Sequence, residues 1–178
     1  VEIEQLWLDR IPDVIYTDKL KEKYNYHAVK NVINPIIGEY DDPDNQAQNV
    51  LTLPLSQEGN TIVFGSAGSG KELMLAGLVY STISTHDSKE VNFYILDFGA
   101  ETLTMFRNAP HVGEVILSTD AEKITNLFKM VNQIIDERKK LFVDYNGSYD
   151  FYINHGGKQI PMIIIMINNV EAFIETYS

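Results

Sequence analysis

Thr61-Ile62-Val63-Phe64-Gly65-Ser66-Ala67-Gly68-Ser69-Gly70-Lys71-Glu72 decides how this chain is read. The first four residues form a short run ending at a glycine, the pattern of a buried strand. Gly65 to Lys71 then satisfies G-x-x-x-x-G-K, the spacing of a phosphate-binding loop. Glycines let such a loop wrap until successive backbone N–H groups point at phosphate oxygens. The helix that opens near Gly70 presents its positive end to the same oxygens, and Lys71 reaches the outer phosphates. That helix is expected over about 70–84, burying Leu73, Leu75, Leu78 and Val79. The alternative is a Gly/Ser-rich strand-to-helix turn that holds nothing. The spacing does not fit G-x-G-x-x-G, which disfavours a dinucleotide site.

The position after the lysine departs from the pattern. A Ser or Thr hydroxyl belongs there to ligate Mg²⁺, and Glu72 stands in its place. At about 5 Å and an effective dielectric near 20, its charge opposes a phosphate by roughly 3 kcal/mol, about a hundredfold in affinity. Direct ligation of Mg²⁺ by the carboxylate would recover part of this. A second departure lies at Met162-Ile163-Ile164-Ile165-Met166-Ile167-Asn168-Asn169. An apolar strand closed by acids is the Walker B pattern, in which the acids hold Mg²⁺ through water and activate the nucleophile. Asn168 and Asn169 carry no charge and serve as no general base. A helix-capping turn is the plainer reading of the two asparagines, and it is compatible with the motif reading. Catalytic residues are therefore not assigned, and weak Mg-ATP binding with weak or absent hydrolysis is expected.

Working outward, Val91–Asp97 and Glu114–Leu117 read as strands, and Thr119 or Asp120 as the cap of a long helix. The helix carries Ile124, Leu127, Phe128, Val131, Ile134, Ile135, Leu141 and Phe142, mostly three or four apart. Strands alternating with helices predict an α/β domain with a mostly parallel sheet. Residues 1–37 lack strong periodicity and read as a linker or accessory segment. Residues 38–48 read as a turn-rich opening to the main domain, 38–178. Asp41-Asp42-Pro43-Asp44-Asn45 lacks the glycine and glutamate of a calcium-binding EF-hand loop and reads as a turn. Asp97 either caps a turn or touches a metal-bound water. Tyr145, Tyr149, Phe151 and Tyr152 read as satellite core packing, with a partner surface as the alternative.

Composition narrows the classes. The 178 residues carry 14 basic and 25 acidic side chains, a net charge of −11, and no cysteine. That balance argues against a broad nucleic-acid surface, which needs clustered Lys and Arg. Four scattered histidines without cysteine give no zinc site, so no metal ligands are assigned. No run approaches the length of a membrane span.

Several stretches occur together and in order. They are Leu6–Pro12, Gly38–Gln48, Gly59–Lys71, Phe93–Gly99, Pro110–Gly113, Glu137–Phe142 and Met162–Phe173. The set resembles the ATPase modules of the EssC/EccC proteins, FtsK/SpoIIIE-type motors of type VII secretion. The resemblance implies a RecA-like P-loop NTPase core, with 1–37 joining consecutive modules and 38–178 the N-terminal part of one. It implies ATP, bound weakly, with Mg²⁺ use in doubt because of Glu72 and Asn168. Gly65, Ser66, Ala67, Gly68, Ser69, Gly70, Lys71 and Glu72 would be the nucleotide-binding residues. Implied partners are other ATPase modules of the same polypeptide, substrates of the WXG100 class, and further copies in a homo-hexamer. The implied setting is the cytoplasmic part of a membrane-anchored bacterial protein. An active ATPase and a DNA translocase of the same family remain the alternatives.

Overall fold

The structure is a computed structural model that describes residues 8–177. Leu6 and Trp7, part of the expected joining segment, lie outside the described residues. The chain divides into two compact units, 1–86 and 87–178.

The first unit opens with a short helix, α1 (Thr17–Lys23). An antiparallel hairpin follows, β1 (Ile36–Asp42) and β2 (Ala47–Thr52). Its tip is the turn expected at Asp41–Asn45: a single 3-10 turn, Pro43–Asn45, in which Asp42 accepts from the Asn45 backbone at 3.3 Å and side chain at 2.8 Å. Gln46 closes the turn in the left-handed region, φ 49°. The unit ends in α2 (Lys71–Ile83), packed on β1. Leu20, Ile33, Ile36, Leu78 and Val79 form its core. A buried bond from the Ile36 N–H to Ser81 Oγ, 2.8 Å, ties the hairpin to α2.

Two expectations are corrected here. Thr61–Phe64 is not a strand and belongs to neither sheet. A strand exists only where a neighbour completes its ladder, and Ile62 and Phe64 are correspondingly 69% and 87% exposed. Leu73, expected in the core, is 79% exposed, while Leu78 and Val79 are buried as expected. On a 3.6-residue period Leu73 lies well away from Leu78 around the helix, so one stripe cannot bury both.

The second unit is a parallel sheet of order β4-β3-β5, built from β3 (Val91–Asp97), β4 (Val112–Leu117) and β5 (Met162–Asn168). All three strands stand where the apolar runs place them. Buried parallel strands read as continuous apolar stretches, which is why VNFYILD and MIIIMIN were legible. One face carries Leu96, Phe98 and Ile116 against Ile124 and Leu127 of α3 (Ala121–Leu141), with Phe173 of α5 (Val170–Tyr177) beside them. On the other face lie Phe93 and Ile95, and the 3-10 segment Thr102–Phe106 packs against β3 and β4, burying Leu103 and Phe106.

Asp120 is the N-cap residue of α3, although its carboxylate reaches back 3.5 Å to the Leu117 N–H rather than into the helix. Part of the aromatic set is satellite core, whereas half-buried Phe151 stacks on exposed His155; Tyr152, 5% exposed, meets Tyr145 edge-on and tilts against Phe142. It belongs to α4 (Tyr149–Asn154), which Ser148 caps by accepting from the Phe151 N–H.

Candidate functional site

The stretch expected to bind phosphate lies in the first unit, at the N-terminus of α2. Gly70 is the N-cap residue at φ 86°, and Gly68 stands at φ 73°, conformations that side chains other than glycine rarely adopt. Gly65 leaves room for its neighbours: a Cβ there would displace the Ser69 hydroxyl and meet Lys71 Cγ at 3.2 Å. Residues 65–70 are exposed, so their backbone is open to a ligand. Lys71 folds over the loop and donates to the carbonyls of Gly65 and Ser66, the latter at 2.9 Å. Glu72 is half-buried in the first turn of α2. The eight residues expected to bind nucleotide, Gly65 to Glu72, thus form one contiguous stretch at the start of α2, with one acid among them.

Asn168, Asn169 and Asp97 come together in the second unit, at the carboxyl ends of β3 and β5. Asp97 and Asn168 are directly paired in the parallel register, so their side chains leave the sheet on the same face. The Asn168 side-chain amide donates to Asp97 Oδ1 at 2.8 Å, and both residues are buried. Asp97 Oδ1 also accepts from the Gly99 N–H at 3.1 Å, and Oδ2 from the Leu103 N–H at 3.0 Å. Of the two roles open to Asp97 in the sequence, the structure shows the turn cap.

Asn169 adopts φ 62°, donates from Nδ2 to the Phe98 carbonyl at 3.3 Å and accepts from the Ala172 N–H at 3.3 Å. It therefore serves as a helix-capping turn at the start of α5. Asp97 is the site residue whose partners the sequence left open. Its local signal was a strand-terminal acid before Phe98-Gly99; its partnership with Asn168 needed the register.

The matching residues decide the family: the FtsK/SpoIIIE family model matches residues 35–167, from the first hairpin strand to the end of the Walker B run. The chain belongs to the FtsK/SpoIIIE family. Among individual proteins it is similar to the type VII secretion system protein EssC of Staphylococcus aureus strain Mu50, 27% identical over 175 residues. It is also similar to the ESX secretion system protein YukB of Bacillus subtilis, 28% identical over 164 residues. These matches cover 96% and 92% of this chain but only 12% and 10% of the relatives.

Solved structures agree. EccC of Thermomonospora curvata, its ATPases 2 and 3 in complex with a signal sequence peptide, superposes with a TM-score of 0.73 at 28% identity. That match covers 83% of this chain and 28% of the EccC chain. EssC of Geobacillus thermodenitrificans, also ATPases 2 and 3, gives 0.70 at 26% identity, covering 80% of this chain and 27% of its own. The chain thus has the RecA-like α/β fold of these ATPase domains.

P-loop members of the FtsK/SpoIIIE family use ATP with Mg²⁺ in general. A nucleotide phosphate fits what this chain offers: backbone N–H groups around Gly65 to Gly70, a helix N-terminus, and Lys71. Bound ATP would supply a phosphoanhydride, which Lys71 and the loop would hold by its outer oxygens. Mg²⁺ fits less well. Taken unit by unit, the hydroxyl position of the first holds Glu72, while in the second the acid position holds a neutral amide and Asp97 beside it already accepts three hydrogen bonds.

Proposed function

We propose that this chain is a nucleotide-binding module of a type VII secretion motor whose own ATP hydrolysis is weak or absent. The observation that carries this is the strand end after the Walker B run, where Asn168 stands in place of an acid and its side-chain amide donates to Asp97. Glu72 supports it from the loop side, because its charge opposes the triphosphate that Lys71 attracts.

The function then lies in protein contacts. The related EccC structure contains a signal sequence peptide, and a comparable role in recognising secreted WXG100-class proteins is assigned to this module. It would work beside other ATPase modules of its polypeptide, within a homo-hexamer, as the cytoplasmic part of a membrane-anchored protein. Residues 1–37 would join it to the preceding module. No helix among the described residues is long and apolar enough to cross a membrane, so any anchor is assigned to the rest of that polypeptide.

Phosphate release from Mg-ATP by the chain and by its Lys71→Ala variant tests the enzymatic half. Equal background rates are expected. Turnover that disappears with Lys71→Ala would overturn it and establish an active ATPase.

A further inference from the structure

Asn168 stands where an acid would complete a metal site, and its surroundings show what the amide is for. β3 and β5 place Asp97 and Asn168 directly opposite one another. Both are buried, at 1% and 5% exposure. The strands are also joined just beyond this pair, by the bond from the Phe98 N–H to the Asn168 carbonyl at 3.1 Å. Asp97 takes donors from three directions: Gly99 within its own turn, Leu103 from the 3-10 segment, and Asn168 from the neighbouring strand. A buried carboxylate is tolerated when such donors surround it, and removing one is costly. An amide supplies a donor at 168, whereas a carboxylate supplies only acceptors.

We propose that Asn168 is the donor half of a clasp with Asp97 that closes the carboxyl ends of β3 and β5, so that the divalent-cation site was replaced by an amide–carboxylate bond rather than merely weakened. This deepens the hydrolysis-deficient function proposed above and rests on it for the assignment of the Walker B position. The consequence is that restoring the acid does not restore the metal. Asn168→Asp sets a second carboxylate against Asp97 at hydrogen-bond distance, inside a site with one lone pair already committed to each of two backbone donors. The side chain at 168 acts through Asp97, which in turn holds the 98–103 turn; it is a positioning residue.

Denaturant unfolding of the full chain without nucleotide, with and without millimolar Mg²⁺, tests this for Asn168→Asp, Asn168→Leu and the exchange Asp97→Asn with Asn168→Asp. The clasp predicts that Asn168→Asp raises the unfolding constant by about 10- to 100-fold, with no recovery in Mg²⁺. The exchange should recover part of that loss, because it restores one donor against one carboxylate. Asn168→Leu, which removes the donor but adds no charge, should cost less than Asn168→Asp.

An Asn168→Asp protein as stable as the parent and stabilised further by Mg²⁺ would overturn the clasp and show Asn168 to be a lost ligand. So would equal losses for Asn168→Asp and Asn168→Leu with no recovery in the exchange. If Asn168→Asp does not fold, Asn168→Leu decides: a folded Asn168→Leu supports the clasp, because the added carboxylate is what separates the two variants, and an unfolded one contradicts it. Nucleotide is absent throughout, so failure here leaves the assignment of the phosphate loop standing.

Discussion

Glu72 faces two opposed electrostatic effects. In the first turn of α2 a negative side chain favours the helix by about 0.3–1 kcal/mol. Beside a bound phosphate the same charge costs roughly 3 kcal/mol at an effective dielectric near 20. Glu72 is therefore tolerated in the empty loop and weakens phosphate binding in the loaded one. Glu72→Thr is expected to tighten Mg-ATP binding by about a hundredfold in a calorimetric titration; unchanged affinity would contradict the electrostatic cost. Gly65 gives a second residue-scale expectation. Its missing Cβ leaves the space that Ser69 Oγ and the Lys71 stem use, so Gly65→Ala should weaken phosphate binding while leaving the far-ultraviolet circular dichroism unchanged. The stretch from Gly65 to Glu72 can be proposed as a phosphate loop from sequence alone, because such a loop is made by consecutive backbone groups and spacing along the chain is its geometry. The partnership of Asp97 was not legible, because it depends on the register of β3 against β5 across 71 positions.

Elements differ in how much of their burial follows from their own pattern. VNFYILD and MIIIMIN announced β3 and β5 because buried parallel strands are apolar on both faces. The hairpin β1–β2 was read only as a turn-rich stretch, since Gly38, Glu39, Asp41 and Asp42 interrupt any alternation. Its polar ties hold it in place: Glu39 accepts from both Lys23 and Tyr24 of the α1 region, and Gln48 accepts from Lys23 at 3.1 Å and donates to the Asp9 carbonyl at 2.7 Å. Burial would raise the Glu39 carboxyl, but the bonds from Lys23 and Tyr24 outweigh it and leave it below its ordinary value near 4.5. A lowered carboxylate stabilises the fold above its unfolded value and ceases to do so as pH falls through the folded one. The stability difference between the chain and Glu39→Gln should accordingly be constant at neutral pH and shrink below about pH 4.5. A difference independent of pH would contradict the ion pair. In α2, packing outranks composition: Leu78→Ala should cost about 2–5 kcal/mol, whereas Leu73→Ala, at an exposed position, should change unfolding by less than about 0.5 kcal/mol. Comparable losses would mean that Leu73 is covered in solution.

At the scale of the whole molecule, the first unit carries the proposed phosphate loop and the second the Asp97–Asn168 pair. Membership of the FtsK/SpoIIIE family rests on a match over residues 35–167. The chain spans 12% of the length of the EssC relatives it matches, so their secretion activity is carried to it here as a proposal. The net charge of −11 disfavours polyanion binding, and it bears on partners rather than on the fold. The central claim is that phosphate recognition persists where productive metal chemistry has gone. Isothermal titration of ATP, with and without Mg²⁺, tests it most directly. The structure predicts saturable binding much weaker than micromolar, no tighter with Mg²⁺, and lost in Lys71→Ala. Micromolar binding that requires Mg²⁺ would contradict it.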